Sequence, residues 1–169
     1  MASDSPPDFF AILETLSKYE VEFILVGGRC AVIHGAPVVT TDVDVVHRRT
    51  PPNIERLLLA LSELDAHYRY HPSRIAPNHT HLEGPGHQLL KTKHGNLDVL
   101  GSIDQGRDYD SLLEGVQMIE IEGRAYKILH LQELIEIKRR AGRDKDRAVL
   151  PLLENTLRLV DRSSTSESE

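Results

Sequence analysis

At 169 residues, with 40% apolar and 27% charged side chains, the chain has the composition of one ordinary globular domain. A formal net charge of −6 argues against a general nucleic-acid-coating role, and the single cysteine, Cys30, excludes an internal disulfide and fits a reducing compartment. No apolar run reaches membrane-spanning length, and the opening MASDSPPDFF lacks the basic flank and apolar core of a secretory leader, so a soluble, cytoplasmic protein with no membrane partner is expected.

In chain order, Phe9, Phe10, Ile12, Leu13 and Leu16 recur at helical spacing and predict a helix over 8–20, begun by the polar residues Ser5 to Asp8. VEFILVGG reads as a buried strand running into two glycines, and RCAVIHG as one or two helical turns stopped by Gly35 and Pro37. TDVDVVHR is the next strand, and PPNIERLLLALSEL a long helix with Pro51 and Pro52 at its start. The stretch 67–86, rich in His, Pro and Gly, reads as a long loop with room for one short strand. HQLLKTKHGNLDVLGSI predicts two strands joined near Gly95, and QMIEIEGRAYKIL a hairpin turning at Glu122-Gly123. HLQELIEIKRRAG is an amphipathic helix ending at Gly142, followed by a helical segment that Pro151 bends or divides. Residues 1–160 thus read as one α/β (α+β) domain with a small helical C-terminal part, and 161–169 as a disordered polar tail.

The chemistry concentrates in TTDVDVVHRR. Residues two apart in a strand share a face, so Asp42 and Asp44 project together while Val43 and Val45 turn to the core. Two ionised carboxylates this close repel, which raises a pKa or demands a cation, and Mg²⁺ takes oxygen ligands of this kind. The same pattern also fits an edge strand with one wet face. Upstream, Gly27 and Gly28 join a strand to a helix, where a phosphate can approach the backbone. Downstream, Asp98 is a lone carboxylate in a short apolar strand.

In combination, Val26-Gly27-Gly28 followed by Asp42-Val43-Asp44-Val45 resembles the signature of the polymerase-β-like nucleotidyltransferase superfamily. Lys138, Arg143, Lys145 and Asp146 in LQELIEIKRRAGRDKDRAVL are similar to the segment found in minimal nucleotidyltransferases of the AbiEii and toxin–antitoxin type. The resemblance spans roughly residues 20–155 and implies a mixed, twisted β-sheet flanked by helices. It further implies transfer of a nucleoside monophosphate from an NTP to an RNA, protein or small-molecule acceptor, with a cognate toxin or antitoxin as a partner.

By that resemblance Asp42 and Asp44 bridge two Mg²⁺ ions, and Asp98 completes the metal site and takes the acceptor's proton. Gly27, Gly28 and Arg29 meet the phosphates, and Lys138 and Lys145 clamp them. These residues also have ordinary readings: Lys138 as a solvated helix lysine, RRAGRDKDR as a charged turn, and Asp146 as a helix cap. Gly28 departs from the Ser of many members, which removes a hydroxyl contact to phosphate. His79 and His81, with His71 or His87, can chelate zinc or simply be polar surface. Tyr68, Arg69 and Tyr70 read as strand packing or as a platform for a base, and His34 as a hydrogen-bonded helix-end residue. Two rivals use the same residues: a catalytically inactive nucleotide- or partner-binding module, and a metal-dependent phosphohydrolase.

Overall fold

The computed structural model of the chain describes residues 6–166. Helix α1 (Phe9–Lys18) opens on Asp8, whose carboxylate accepts from the Ala11 amide at 3.0 Å; Ser5, named with it from the sequence, lies outside the described residues. The helix buries Ile12, Leu13 and Leu16 of the predicted face, with Phe9 half-buried, while Phe10 is left exposed. Strand β1 (Phe23–Val26) is buried throughout and runs directly into α2 (Gly27–Ile33). Strand β2 (Asp42–His47) follows, then α3 (Pro51–Glu63) with proline in its first turn.

The expected loop over 67–86 holds the short strand β3 (His67–Tyr68) and a helix the sequence did not reveal, α4 (His79–Glu83). Asn78 and His81 cap α4 reciprocally: the Asn78 side chain accepts from the His81 amide, and the His81 ring from the Asn78 amide. Strands β4 (His87–Thr92) and β5 (Gly95–Leu100) form the expected hairpin. A short α5 (Tyr109–Leu112) precedes the hairpin of β6 (Val116–Ile121) and β7 (Arg124–Leu129), whose turn sets Glu122 and Gly123 at positive φ. Helix α6 (Leu131–Ala141) ends at Gly142, which adopts the left-handed conformation with φ 62°.

The C-terminal segment is a single helix. Helix α7 runs unbroken over Asp144–Ser166 with Pro151 inside it, so the proline does not divide the segment. The polar tail expected from residue 161 is helical as far as Ser166, continuing the turn pattern of the helix before it; 167–169 lie outside the described residues.

The strands form one seven-stranded sheet in the order β3-β4-β5-β2-β1-β7-β6. It is mixed: β1 pairs antiparallel with β2 but parallel with β7, and β2 pairs parallel with β5. Helices flank it, α1 packing on α3 and α6 on α7, with α2 against both β1 and β2. Val43, Val45, Leu97 and Val99, from the two central strands, are fully buried with Ile54 and Leu57 of α3. Each contributes on the order of 1.5–3 kcal/mol of apolar burial, which makes the middle of the sheet its firmest part. Among the described residues, no helix is long and apolar enough to cross a membrane.

Candidate active site

Register places the carboxylates. Asp44 on β2 lies opposite Val26 at the end of β1 on one side and opposite Asp98 of β5 on the other. Asp98 in turn lies opposite Leu89 of β4, whose carbonyl accepts from the Arg69 amide at 3.0 Å. Asp42, two residues before Asp44, shares its face and lies opposite Asn96. The alternation read from the sequence therefore holds: Asp42 and Asp44 are half-buried while Val43 and Val45 are in the core.

The carboxylates are held by named partners. Asn96 Nδ2 donates to Asp42 Oδ1 at 3.1 Å, and Thr41 Oγ1 to the same oxygen at 3.2 Å. Arg69 Nη2 meets Asp98 Oδ1 at 3.0 Å, with both side chains only 13% exposed. Burial, the hydrogen bond and charge of Asp98, and the charge of Asp42 push Asp44 up to about 7, while Lys138 works the other way. Without a cation, Asp44 therefore keeps its proton up to about pH 7, well above the range of an ordinary carboxylate.

The glycines serve this arrangement directly. Gly27 has φ 70°, and a methyl group on it would stand 2.1 Å from Asp44 Oδ2. A methyl on Gly28 would meet the Thr40 side chain at 2.9 Å. Both positions are small because neighbouring side chains fill the space.

A cavity of about 750 Å³ opens on this face, walled by Gly27, Asp42, Asp44 and Asp98 and by the cations Arg69 and Lys145. Arg140 and Arg143 also reach it, as does an apolar wall that includes Ile103 and Leu134. Arg140 grips Asp104 with Nη2 and Nε, at 2.7 and 3.0 Å. Of the other residues named from the sequence, Gly28, Arg29 and Lys138 are not part of the wall. Arg29 is turned onto the Phe9 ring, 3.6 Å from its centroid, and Lys138 is drawn to Asp146 at 3.4 Å. Asp146 is 1% exposed, and its carboxylate also takes Arg143 at 2.6 Å; it is the hub of two ion pairs where a helix cap was expected. Lys138 remains near enough for its charge to act on Asp44.

The oxygen donors Asp42, Asp44 and Asp98 are of the type hard cations take. Among the described residues, however, no group of three or more His, Cys, Asp or Glu side chains is assembled for a metal. Asp98 is committed to Arg69, and Asp42 to Asn96 and Thr41. The histidines are likewise occupied one by one: His79 pairs with Glu83 at 2.8 Å, His81 caps α4, His87 donates to the Ser102 carbonyl at 2.9 Å, and His71 accepts from the Ser73 amide at 3.1 Å. His34 Nε2 donates to the Leu129 carbonyl at 2.7 Å, as expected of a helix-end residue. Sequence reasoning missed Asn96 and gave Arg69 only a packing or base-stacking part. For Asn96 the signal was its place two residues before Asp98; for Arg69 there was none, since its partner is 29 residues away.

No protein-family model matches the chain, and no curated protein does. Solved structures do. The chain superposes on the lincosamide antibiotic adenylyltransferase LnuA, in its lincomycin-bound crystal structure, with TM-score 0.60 and 14% identity over 90% of this chain and 99% of that one. It also superposes on a Thermotoga maritima protein, itself assigned as a nucleotidyltransferase by inference, with TM-score 0.54 and 16% identity over 86% of this chain and 89% of that one. The fold is a nucleotidyltransferase fold. In this fold the cavity lies over β2 and β5, the strands that carry the three carboxylates.

Proposed function

We propose that the chain is a Mg²⁺-dependent nucleotidyltransferase that moves a nucleoside monophosphate from an NTP to an acceptor and releases pyrophosphate. The observation that carries this reading is the convergence of Asp42, Asp44 and Asp98 on one cavity wall that also holds Arg69, Arg140, Arg143 and Lys145. Carboxylates for cations beside cations for phosphates are the two halves of an NTP site. The volume suits a nucleotide-sized ligand.

Bound at the carboxylates, two Mg²⁺ ions would neutralise charge on the attacking and leaving oxygens. The chain's own part is to position and to move one proton. Asn96 orients Asp42 through its 3.1 Å hydrogen bond, and Gly27 leaves the space in which Asp44 stands. Asp98 accepts the proton of the acceptor hydroxyl. Lys145, exposed and on the cavity wall, meets the outgoing phosphates together with Arg143. Lys138, tied to Asp146, adds positive charge that favours ionised Asp44.

The acceptor is a hydroxyl-bearing small molecule, an RNA end or a protein side chain. The likeness to LnuA, which is covered over 99% of its length, makes small molecules the first class to test. The AbiEii-like segment around Lys138 to Asp146 motivates the second arm, a cognate toxin or antitoxin and its RNA. The experiment incubates the protein with each α-labelled NTP, Mg²⁺ and cell lysate, then separates small metabolites from macromolecules. Label moving to an acceptor in either fraction, and lost with Asp42→Asn plus Asp44→Asn, supports transfer. Free NMP without transfer identifies a phosphohydrolase, and NTP binding without turnover an inactive binding module.

A further inference from the structure

We propose that Arg69 is the resident counterion of Asp98 and that a divalent cation enters the site by taking its place. The inference rests on the nucleotidyltransferase reading of the carboxylates and adds to it a role for Arg69 at Asp98 which that reading does not contain.

Arg69 sits just beyond β3, at the start of an irregular stretch, and reaches across β4 to β5. Its backbone is pinned by the amide bond to the Leu89 carbonyl, and its Nη1 donates to the Leu90 carbonyl at 2.7 Å. Its Nη2 meets Asp98 Oδ1 at 3.0 Å. Tyr70 covers the guanidinium, its ring centroid 5.1 Å away. With both partners 13% exposed, the pair is largely out of water, where the attraction is strong and salt screens it poorly.

The cost of this arrangement falls on Asp98. Its Oδ1 is taken by Arg69, and its carboxyl stands close enough to Asp44 to push that neighbour's pKa up. A cation that takes Asp98 Oδ1 displaces the Nη2 contact. The guanidinium never loses its proton, so it leaves as a charge and stays tethered to Leu90. It then stands on the cavity wall as a free cation when the phosphates arrive. Arg69 is thus a positioning residue that acts through Asp98.

The test measures Mn²⁺ binding to the nucleotide-free protein by electron paramagnetic resonance. Arg69→Met keeps the length of the side chain and removes the charge; its affinity for Mn²⁺ is expected to rise on the order of tenfold over the unaltered protein. Arg69→Lys, which keeps the charge, is expected to stay near the unaltered value. Unchanged or weaker binding by Arg69→Met overturns the proposal. Should that variant not fold, the guanidinium ¹⁵N resonance absent from Arg69→Lys is followed in the unaltered protein during Mg²⁺ titration. A shift that saturates with the ion supports displacement, and an unmoved resonance overturns it. Asp42→Asn plus Asp44→Asn separates the two readings. If those changes abolish Mn²⁺ binding but Arg69→Met does not tighten it, only this inference fails; if Mn²⁺ binding ignores them, the metal site and the inference fail together.

Discussion

Gly27 and Asp44 compete for one volume: a methyl group on Gly27 would stand 2.1 Å from Asp44 Oδ2, a separation no pair of heavy atoms tolerates without bonding. The turn at the end of β1 and the carboxylate on β2 are therefore one structural unit. Gly27→Ala adds both that overlap and a left-handed backbone for a residue with a side chain. It is expected to cost about 2–3 kcal/mol and to displace Asp44, with nucleotide transfer falling by about two orders of magnitude or more. Urea unfolding and the labelled-NTP assay read the two effects; transfer surviving at near-normal rate would sink the idea that Asp44 must stand there.

The raised Asp44 pKa makes stability depend on pH in an unusual direction. The folded protein holds a proton up to about pH 7 that the unfolded chain releases near pH 4. Between those values the folded state binds more protons, so stability falls as pH rises and levels off above 7. In chelator, unfolding free energy at pH 8 is expected to lie a few kcal/mol below that at pH 5 from this carboxylate cluster, on the order of the shift. Asp44→Asn should flatten this part of the profile. An identical profile in that variant would contradict the assignment.

Asp146 distinguishes a cap from an ion-pair hub. Asparagine caps helices about as well as aspartate, so a capping role predicts a near-neutral Asp146→Asn. The observed contacts to Lys138 and Arg143 predict otherwise. Burial raises the Asp146 pKa, but the hydrogen bond from Arg143 and the charges of Lys138 and Arg143 outweigh it and bring the carboxyl below its ordinary value. The substitution is expected to cost about 2 kcal/mol, discounted because Arg143 is 60% exposed. The midpoint of urea unfolding measures it.

Cys30 is fully buried in α2 and donates to the Leu129 carbonyl at 3.4 Å, and burial pushes its thiol up to about 12. A thiolate is the reactive form, so the folded protein should resist a thiol reagent at pH 8 and react with one equivalent after denaturation. Rapid labelling of the folded protein would show that α2 opens readily from the sheet.

Much of this was legible because it is local. The two-residue alternation of Asp42-Val43-Asp44-Val45 and the helical spacing in Phe9–Lys18 each encode burial within a few residues. Gly27 and Gly28 are conspicuous in the sequence, and what the structure adds is that the space beside them is filled by Asp44 and Thr40. What was not legible depends on which strands become neighbours. Asn96 meets Asp42 only because β2 and β5 run parallel in one register, and Arg69 reaches Asp98 only because β4 lies between them. Arg29 and Lys138 were placed on the phosphates by motif, whereas their immediate surroundings, Phe9 and Asp146, hold them elsewhere. Helix α4 escaped because its capping box uses a histidine.

The parallel pairing of Asp44 with Asp98 has a dimensional consequence. Adjacent strands are held about 4.8 Å apart by their hydrogen-bond ladder, whatever the side chains are. The gap between these carboxylates is thus set by a repeat distance of the backbone, on two strands whose core-facing residues Val43, Val45, Leu97 and Val99 are fully buried. Substitutions elsewhere can lower the fraction of molecules that are folded. They have little leverage on the gauge of the site in those that are.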